Sequence, residues 1–255
     1  MSVLVRGARS LSVLEAYDAL ETFAVQAGEM PLLLMMHASV PETLRSDLLN
    51  LIKINFVPDA RGNTSVDADV LFSPFTESLD GGYYRINAQV RRHCLALLAS
   101  AYRNETMARA RRVANLLIAY VEHIERVSPL PIDTRLATYC EIQRWVALAF
   151  LQPDNAAAAF ASAVKQALDP GDTAAVVRLG SVGAAIELIL PEHHELFAYA
   201  ETVDALVSRD QARASRLFQR LRGRAFSYSG IDLPPLKEVA RRISNAPTAG
   251  KRQYS

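Results

Sequence analysis

The side chains of this chain best suited to nucleophilic or metal chemistry are its five histidines and two cysteines. His193 and His194 stand together between Glu192 and Glu195, a donor set that a transition metal could accept. Adjacent helical positions point about 100° apart, however, so the two imidazoles cannot both face one ion. Pro191 just ahead of them marks the first turn of a helix, and a solvated helix start accounts for the pair. His37, His93 and His123 are isolated in sequence, and Cys94 follows His93 directly, which is not the placement of a nucleophile and its base on a helix. A buried structural thiol is the expectation for Cys94. No HExxH, CxxC, GxSxG or GxxxxGKS arrangement occurs. The expectation is therefore a chain that is not an enzyme and has no catalytic, cofactor-binding or metal-ligating residues.

Arginines form the other conspicuous set. The residues 209–222 read as one helix on which Arg209, Arg213, Arg216 and Arg220 recur every three or four positions, and Arg222 and Arg224 extend the row into the following loop. Asp210 is the only acid on that helix, while Ala212, Leu217 and Leu221 mark its buried face. The six arginines are the candidate protein-binding residues, since guanidinium groups pair with carboxylates in a planar fork. Arg109, Arg111 and Arg112 make a smaller group. Lys plus Arg number 28 against 27 Asp plus Glu, a formal charge of +1, so no net field draws in nucleic acid or an anionic membrane.

Half of the residues are hydrophobic, which supports a sizeable core. Leu11, Leu14, Tyr17, Leu20, Phe23 and Ala24 predict a first amphipathic helix over 11–28. Pro31 opens a second helix through Val40, and Pro41 with Glu42 opens a third that runs to about Phe56. Residues 58–64 have turn chemistry. Val66 to Leu79 reads as a helix interrupted by Pro74, followed by an Asp80-Gly81-Gly82 turn, a strand from Tyr83 to Ile86, and a helix capped by Asn87. Beyond Asn104, six helices are predicted at 105–127, 134–151, 154–168, 172–190, 192–207 and 209–222, separated by short proline-bearing links. Trp145 is placed in the core, Gly223 to Pro235 in a loop, and Leu236 to Ile243 in a short helix. The fold class is all-α: a winged-helix-like lobe with one short β-hairpin over 1–103, an antiparallel α-solenoid or bundle of TPR-like helix pairs over 104–222, and a loop, short helix and tail over 223–255. No signal-peptide pattern and no apolar run near the roughly 20 residues of a membrane span is present, and two cysteines without a disulfide framework suit a reducing compartment, so a cytoplasmic location is expected.

The segments PLLLMMHASVPETLRSDLLNLIKINFVPDA, VDADVLFSPFTESLDGGYYRINAQVRRHCLALL and YCEIQRWVALAFLQPDNAAAAFASAVKQAL together resemble the helical module that accompanies caspase-like or trypsin-like peptidase, TIR, WD-repeat and formylglycine-enzyme-like domains in bacterial conflict and signalling systems. The resemblance spans roughly residues 30 to 222. The hairpin and its following helix also resemble the winged-helix module found behind the NTPase core of STAND-type switch proteins, although no nucleotide-binding loop is present. The resemblance implies an adaptor or regulatory role in antiviral defence or signalling, with another protein as partner, such as a peptidase or effector encoded nearby. The competing expectation is a winged-helix DNA-binding regulator, and a hydrolase is a third. Asp67, Asp69, Glu77 and Asp80, with no Lys or Arg between Val66 and Gly82, would turn acids towards phosphates and speak against DNA. Arg85, Arg91 and Arg92 are expected to pair with those acids.

Overall fold

The computed structural model describes residues 11–101, 106–129, 132–169, 172–221 and 226–245. It is mostly helical, and the chain divides into two compact units, Met1–Leu151 and Gln152–Ser255. The sequence-based boundary at 103 and 104 falls inside the first unit and that at 222 and 223 inside the second. No helix among the described residues is long and apolar enough to cross a membrane.

The first unit begins with α1 (Val13–Ala27), entered through a capping box in which Ser12 and Glu15 satisfy each other's backbone N–H groups. Its apolar spacing explains how it is seated. Leu14, Tyr17, Leu20 and Phe23 follow one another at steps of three, and each such step rotates the side chain by about 60° around the axis, so the row wraps half of the helix. Only Ala16, Leu20 and Phe23 are buried, whereas Leu14 and Tyr17 stand in solvent. The sequence reading, which put all of them on one buried stripe, is corrected at these two residues.

Next come α2 (Glu29–Ala38), the two-residue strand β1 (Leu44–Arg45), α3 (Ser46–Phe56) and α4 (Ser65–Leu71). Two expectations change here. The helix predicted from Pro41 starts at Ser46, because Leu44 and Arg45 pair antiparallel with the later strand β3. The helix predicted over 66–79 stops at Leu71, ahead of Pro74, and β2 (Thr76–Leu79) takes its second half. β2 and β3 (Tyr83–Ile86) are joined through Asp80, Gly81 and Gly82, which completes a three-stranded antiparallel sheet in the order β1-β3-β2. Gly81 and Gly82 have φ values of 78° and 77°, a region that side chains with a Cβ avoid, and a Cβ on Gly81 would lie 2.9 Å from Arg135 Nη1. Replacing both with Val is expected to cost about 1–3 kcal/mol and to loosen the hairpin, read from thermal melts and from amide exchange in β2 and β3. An unchanged melt would mean that the turn has some other backbone.

Helices α5 (Ala88–Ala101), α6 (Thr106–Val127) and α7 (Thr134–Leu151) finish the unit. Asn87 Oδ1 accepts the Gln89 N–H at the start of α5, as its cap position predicts. Leu34, Met35, Leu48, Leu49, Ile52, Leu98 and Leu117 make the centre of the core. Trp145 on α7 is half-buried and not a core residue, so its truncation should cost less than that of a fully enclosed ring.

The second unit is built around α10 (His194–Val207), against which α8 (Pro153–Leu168), α9 (Thr173–Glu187), α11 (Gln211–Leu221) and α12 (Leu236–Asn245) all pack. Pro153 supplies the fixed φ of a first helical turn, and Asp172 caps α9 by accepting the Ala175 N–H. Phe160, Ile186, Phe197 and Tyr199 are enclosed, and Ala156, Ala157, Ala161 and Ala200 let the helices approach closely. The predicted loop over 223–235 contains a β-hairpin, β4 (Phe226–Tyr228) paired with β5 (Ile231–Leu233). One face of this hairpin stacks on the unit: Phe226 lies 6.1 Å from the Tyr199 ring, and Tyr228 meets His193 edge-on at 5.3 Å.

Candidate functional site

The arginine row has a different form from the one its spacing suggests. The helix starts at Gln211, not Arg209, whose φ of 58° lies in the left-handed region. Ala214 and Leu217 bury the helix against Ala205 and Leu206, while Ala212 is exposed. Arg213 points back across α10: its Nη2 donates to Glu201 Oε1 at 2.9 Å and its Nη1 to Asp204 Oδ2 at 3.0 Å. That residue is a clasp between α10 and α11. Arg209 and Arg216 remain exposed, with Arg216 Nε 3.4 Å from its own helix's Ala212 carbonyl. The Arg220 side chain, Arg222 and Arg224 lie outside the described residues. Among the described residues, the row therefore presents two exposed guanidinium groups, Arg209 just before α11 and Arg216 on it, on either side of the structural Arg213. Of the smaller group, Arg111 donates to the Phe150 carbonyl at 3.4 Å.

Two of the three arginines that follow the Gly81-Gly82 turn, Arg85 and Arg91, have partners, and their acid is not among those expected, while Arg92 is exposed. Arg91 on α5 is buried and forms a fork: Nε donates to the Ser39 carbonyl at 2.9 Å, Nη2 to the Val40 carbonyl at 3.1 Å, and Nη1 to Glu42 Oε2 at 2.7 Å. Arg85 on β3 approaches the other oxygen of Glu42 at 3.5 Å. The segment between α2 and α3 is also held by α7, where Gln143 accepts the Glu42 N–H and donates to the Thr43 carbonyl. Nearby, Tyr120 donates to Asp47, and Arg45 lies over the Tyr83 ring at 5.9 Å. The acids of the hairpin region divide differently: Asp67 turns inwards to pair with buried Lys53, leaving Asp69, Glu77 and Asp80 facing outwards or half-exposed.

Of the candidates for covalent and proton chemistry, His37, His193 and the two cysteines occupy structural positions, whereas His123 and His194 are exposed. His193 ends a short 3-10 turn before α10, and its Nδ1 shares a hydrogen bond of 2.9 Å with the Tyr228 hydroxyl. His37 is buried, donates Nδ1–H to the Leu33 carbonyl at 2.7 Å and stacks on Phe56; burial lowers its pKa by disfavouring the charged form. Burial pushes the Cys94 thiol up to about 12, partly offset by the Ser39 hydroxyl, and raises Cys140 as well. These raised values carry a pH dependence. Below the thiol pKa of the unfolded chain, near 9, the contribution is fully present; above it the unfolded chain releases a proton that the folded chain keeps. Stability should therefore fall as pH rises from about 9 to 12, by up to roughly 1.4 kcal/mol per pH unit for Cys94, and urea midpoints across that range should drop in the wild type more than in Cys94→Ala.

A cleft of about 410 Å³ lies between the end of α8, the β4–β5 hairpin and α12. Lys165, Asp232 and Arg242 rim it over Phe226, Leu233 and Pro234, and Arg242 is held by Glu238 at 2.5 Å. Its mixed charge favours neither anion nor cation. Among the described residues, no three His, Cys, Asp or Glu side chains converge as a metal site.

On α1 a buried inner face lies opposite an exposed apolar surface. Leu14 is 76%, Tyr17 55% and Val25 82% exposed, and Leu97 of α5 is also in solvent. Sequence reasoning missed this surface because it treated the apolar row as a single stripe, and the signal was the threefold spacing itself. Comparison with protein-family models, curated proteins and solved structures finds no match to this chain.

Proposed function

We propose that the protein is a non-enzymatic adaptor or regulatory subunit that binds another protein, a peptidase or effector encoded nearby, in a bacterial conflict or signalling system. The observation that carries this reading is the presence of large apolar side chains in solvent on firmly packed helices: Leu14, Tyr17 and Val25 on α1, and Phe72, 78% exposed, just after α4. The sequence resemblance supplies the biological setting. Further support comes from His37, His93, His193 and the two thiols, whose hydrogen bonds or burial give each a structural occupation.

A winged-helix DNA-binding regulator is the second reading, favoured by the sheet order β1-β3-β2 with helices between its first two strands. Against it, α4 is seven residues long, carries Asp67 and Asp69, and has no basic residue to meet phosphates. Two measurements separate the readings. Fluorescence anisotropy on random and genomic duplexes should give weak binding; tight binding lost steeply with salt would favour the regulator. In the cells that encode it, the tagged, cross-linked protein should carry one stoichiometric partner, and Arg209→Glu with Arg216→Glu should slow that partner's association at low salt while leaving the melting temperature in place. Loss of the fold in this double variant would make both arginines structural. Arg213 is left intact, because reversing it would set three carboxylates together.

A further inference from the structure

We infer that the outer face of α1 is a docking site for a basic amphipathic helix of the partner protein. The inference rests on the adaptor reading and names the chemistry of the partner's contact segment. At about 100° per residue, Leu14, Tyr17, Asp18, Glu21 and Val25 fall within an arc of about 100°. All five are exposed. The buried residues Ala16, Leu20 and Phe23 occupy the opposite side, so the helix is already anchored without the outer face. Leu14 and Val25 are separated by about three turns, or about 16 Å, enough for a partner helix of similar length to lay two or three apolar side chains between them.

Charge selects the occupant. The acids of α1 are Glu15, Asp18 and Glu21, and the helix has no Lys or Arg. Glu15 is engaged in the capping box, whereas Asp18 and Glu21 lie between Tyr17 and Val25 on the outer face. Two carboxylates set among three apolar groups match a helix whose own apolar row is bordered by Lys or Arg. A second copy is a poor match, since a two-fold contact through this face would oppose acid with acid. An anionic lipid surface is repelled for the same reason. His93 of α5 borders the site, its ring 6.0 Å from Tyr17 and its Nε2 3.1 Å from the Val13 carbonyl, which stiffens the edge against which Tyr17 rests.

The probe is a dye-labelled Leu/Lys peptide of about 15 residues patterned as an amphipathic helix, with a Leu/Glu peptide of the same pattern as its counterpart, titrated by anisotropy into the full chain. The wild type should bind the Leu/Lys peptide and not the Leu/Glu peptide. Asp18→Lys with Glu21→Lys should weaken the Leu/Lys peptide at least tenfold and create binding of the Leu/Glu peptide. Leu14→Ser with Val25→Ser should weaken the Leu/Lys peptide without admitting the other. Equal affinity for the Leu/Lys peptide in the wild type and both variants would overturn the proposal, and so would a wild-type dimer in sedimentation equilibrium that Leu14→Ser with Val25→Ser dissolves. The peptide titration does not depend on Arg209 or Arg216, so its failure is separable from failure of the adaptor reading, which the cross-linked partner tests.

Discussion

Arg91→Met is expected to lower the unfolding free energy of the first unit by about 3–5 kcal/mol. The guanidinium is enclosed and satisfies three acceptors at once, the carbonyls of Ser39 and Val40 and the Glu42 carboxylate. Methionine fills much of the volume but leaves two buried carbonyls and a mostly buried carboxylate without their donor, and that desolvation is the larger part of the loss. Burial depresses the Arg91 pKa and Glu42 opposes the shift, so the carboxylate offsets part of the cost of enclosing the charge. Arg91→Lys keeps the charge but not the fork, and should recover only part of the loss. Trp145, the single tryptophan, belongs to the first unit, so its fluorescence in urea reads the effect. A midpoint equal to the wild type in Arg91→Met would rule out the fork.

The second large effect concerns Gly180 on α9. A Cβ there would lie 2.5 Å from Asp204 Cβ and 2.9 Å from its Cγ, closer than packed atoms approach. Asp204 cannot retreat easily, because it is buried on α10 and holds both Arg213 and the Ser208 hydroxyl. Alanine raises helix propensity by about 1 kcal/mol, yet the overlap should reverse the sign and leave Gly180→Ala about 2–3 kcal/mol less stable. Gly180→Leu should prevent α9 from seating at all. Exposed Ser181→Ala, one position along, should be neutral or slightly stabilising. Amide exchange in α9 and α10 gives the readout, and in an Asp204→Gly background the Gly180→Ala penalty should largely vanish. A full penalty in that background would place the clash elsewhere.

The helical framework was legible where local chemistry decides it. The range 134–151 matches α7, Pro153 begins α8 beside its predicted start, and the Gly81-Gly82 turn and the Asn87 cap are where their residue types put them. Elements that need a distant partner were not legible. Leu44 and Arg45 become a strand only because Tyr83 and Tyr84 arrive beside them. The β4–β5 hairpin did have a local signal: Ser229-Gly230 between Phe226, Tyr228, Ile231 and Leu233, with positive φ at both turn residues. Its high loop content obscured the alternation. The arginine row was visible as a pattern on one helix, but the acids that claim Arg213 sit on the preceding helix, and Glu42, which claims Arg85 and Arg91, precedes them by more than forty residues. Likewise, periodicity marks an apolar row on α1 without stating where the seat of the helix ends.

The contacts around Glu42 and Thr43 also set an order in time. Arg91 and Glu42 are 49 positions apart, but Gln143 is 100 or 101 from the groups it bridges. As the chain leaves the ribosome, the Arg91 fork can close while α7 is still unmade. At about 5–20 residues per second, roughly 3–12 seconds separate synthesis of Arg91 from that of Leu151. Throughout that interval the nascent first unit presents the Thr43 carbonyl to its surroundings, joined by the face of α6 once that helix is made, which makes α7 the segment whose arrival ends the exposure of the first unit to chaperones and proteases.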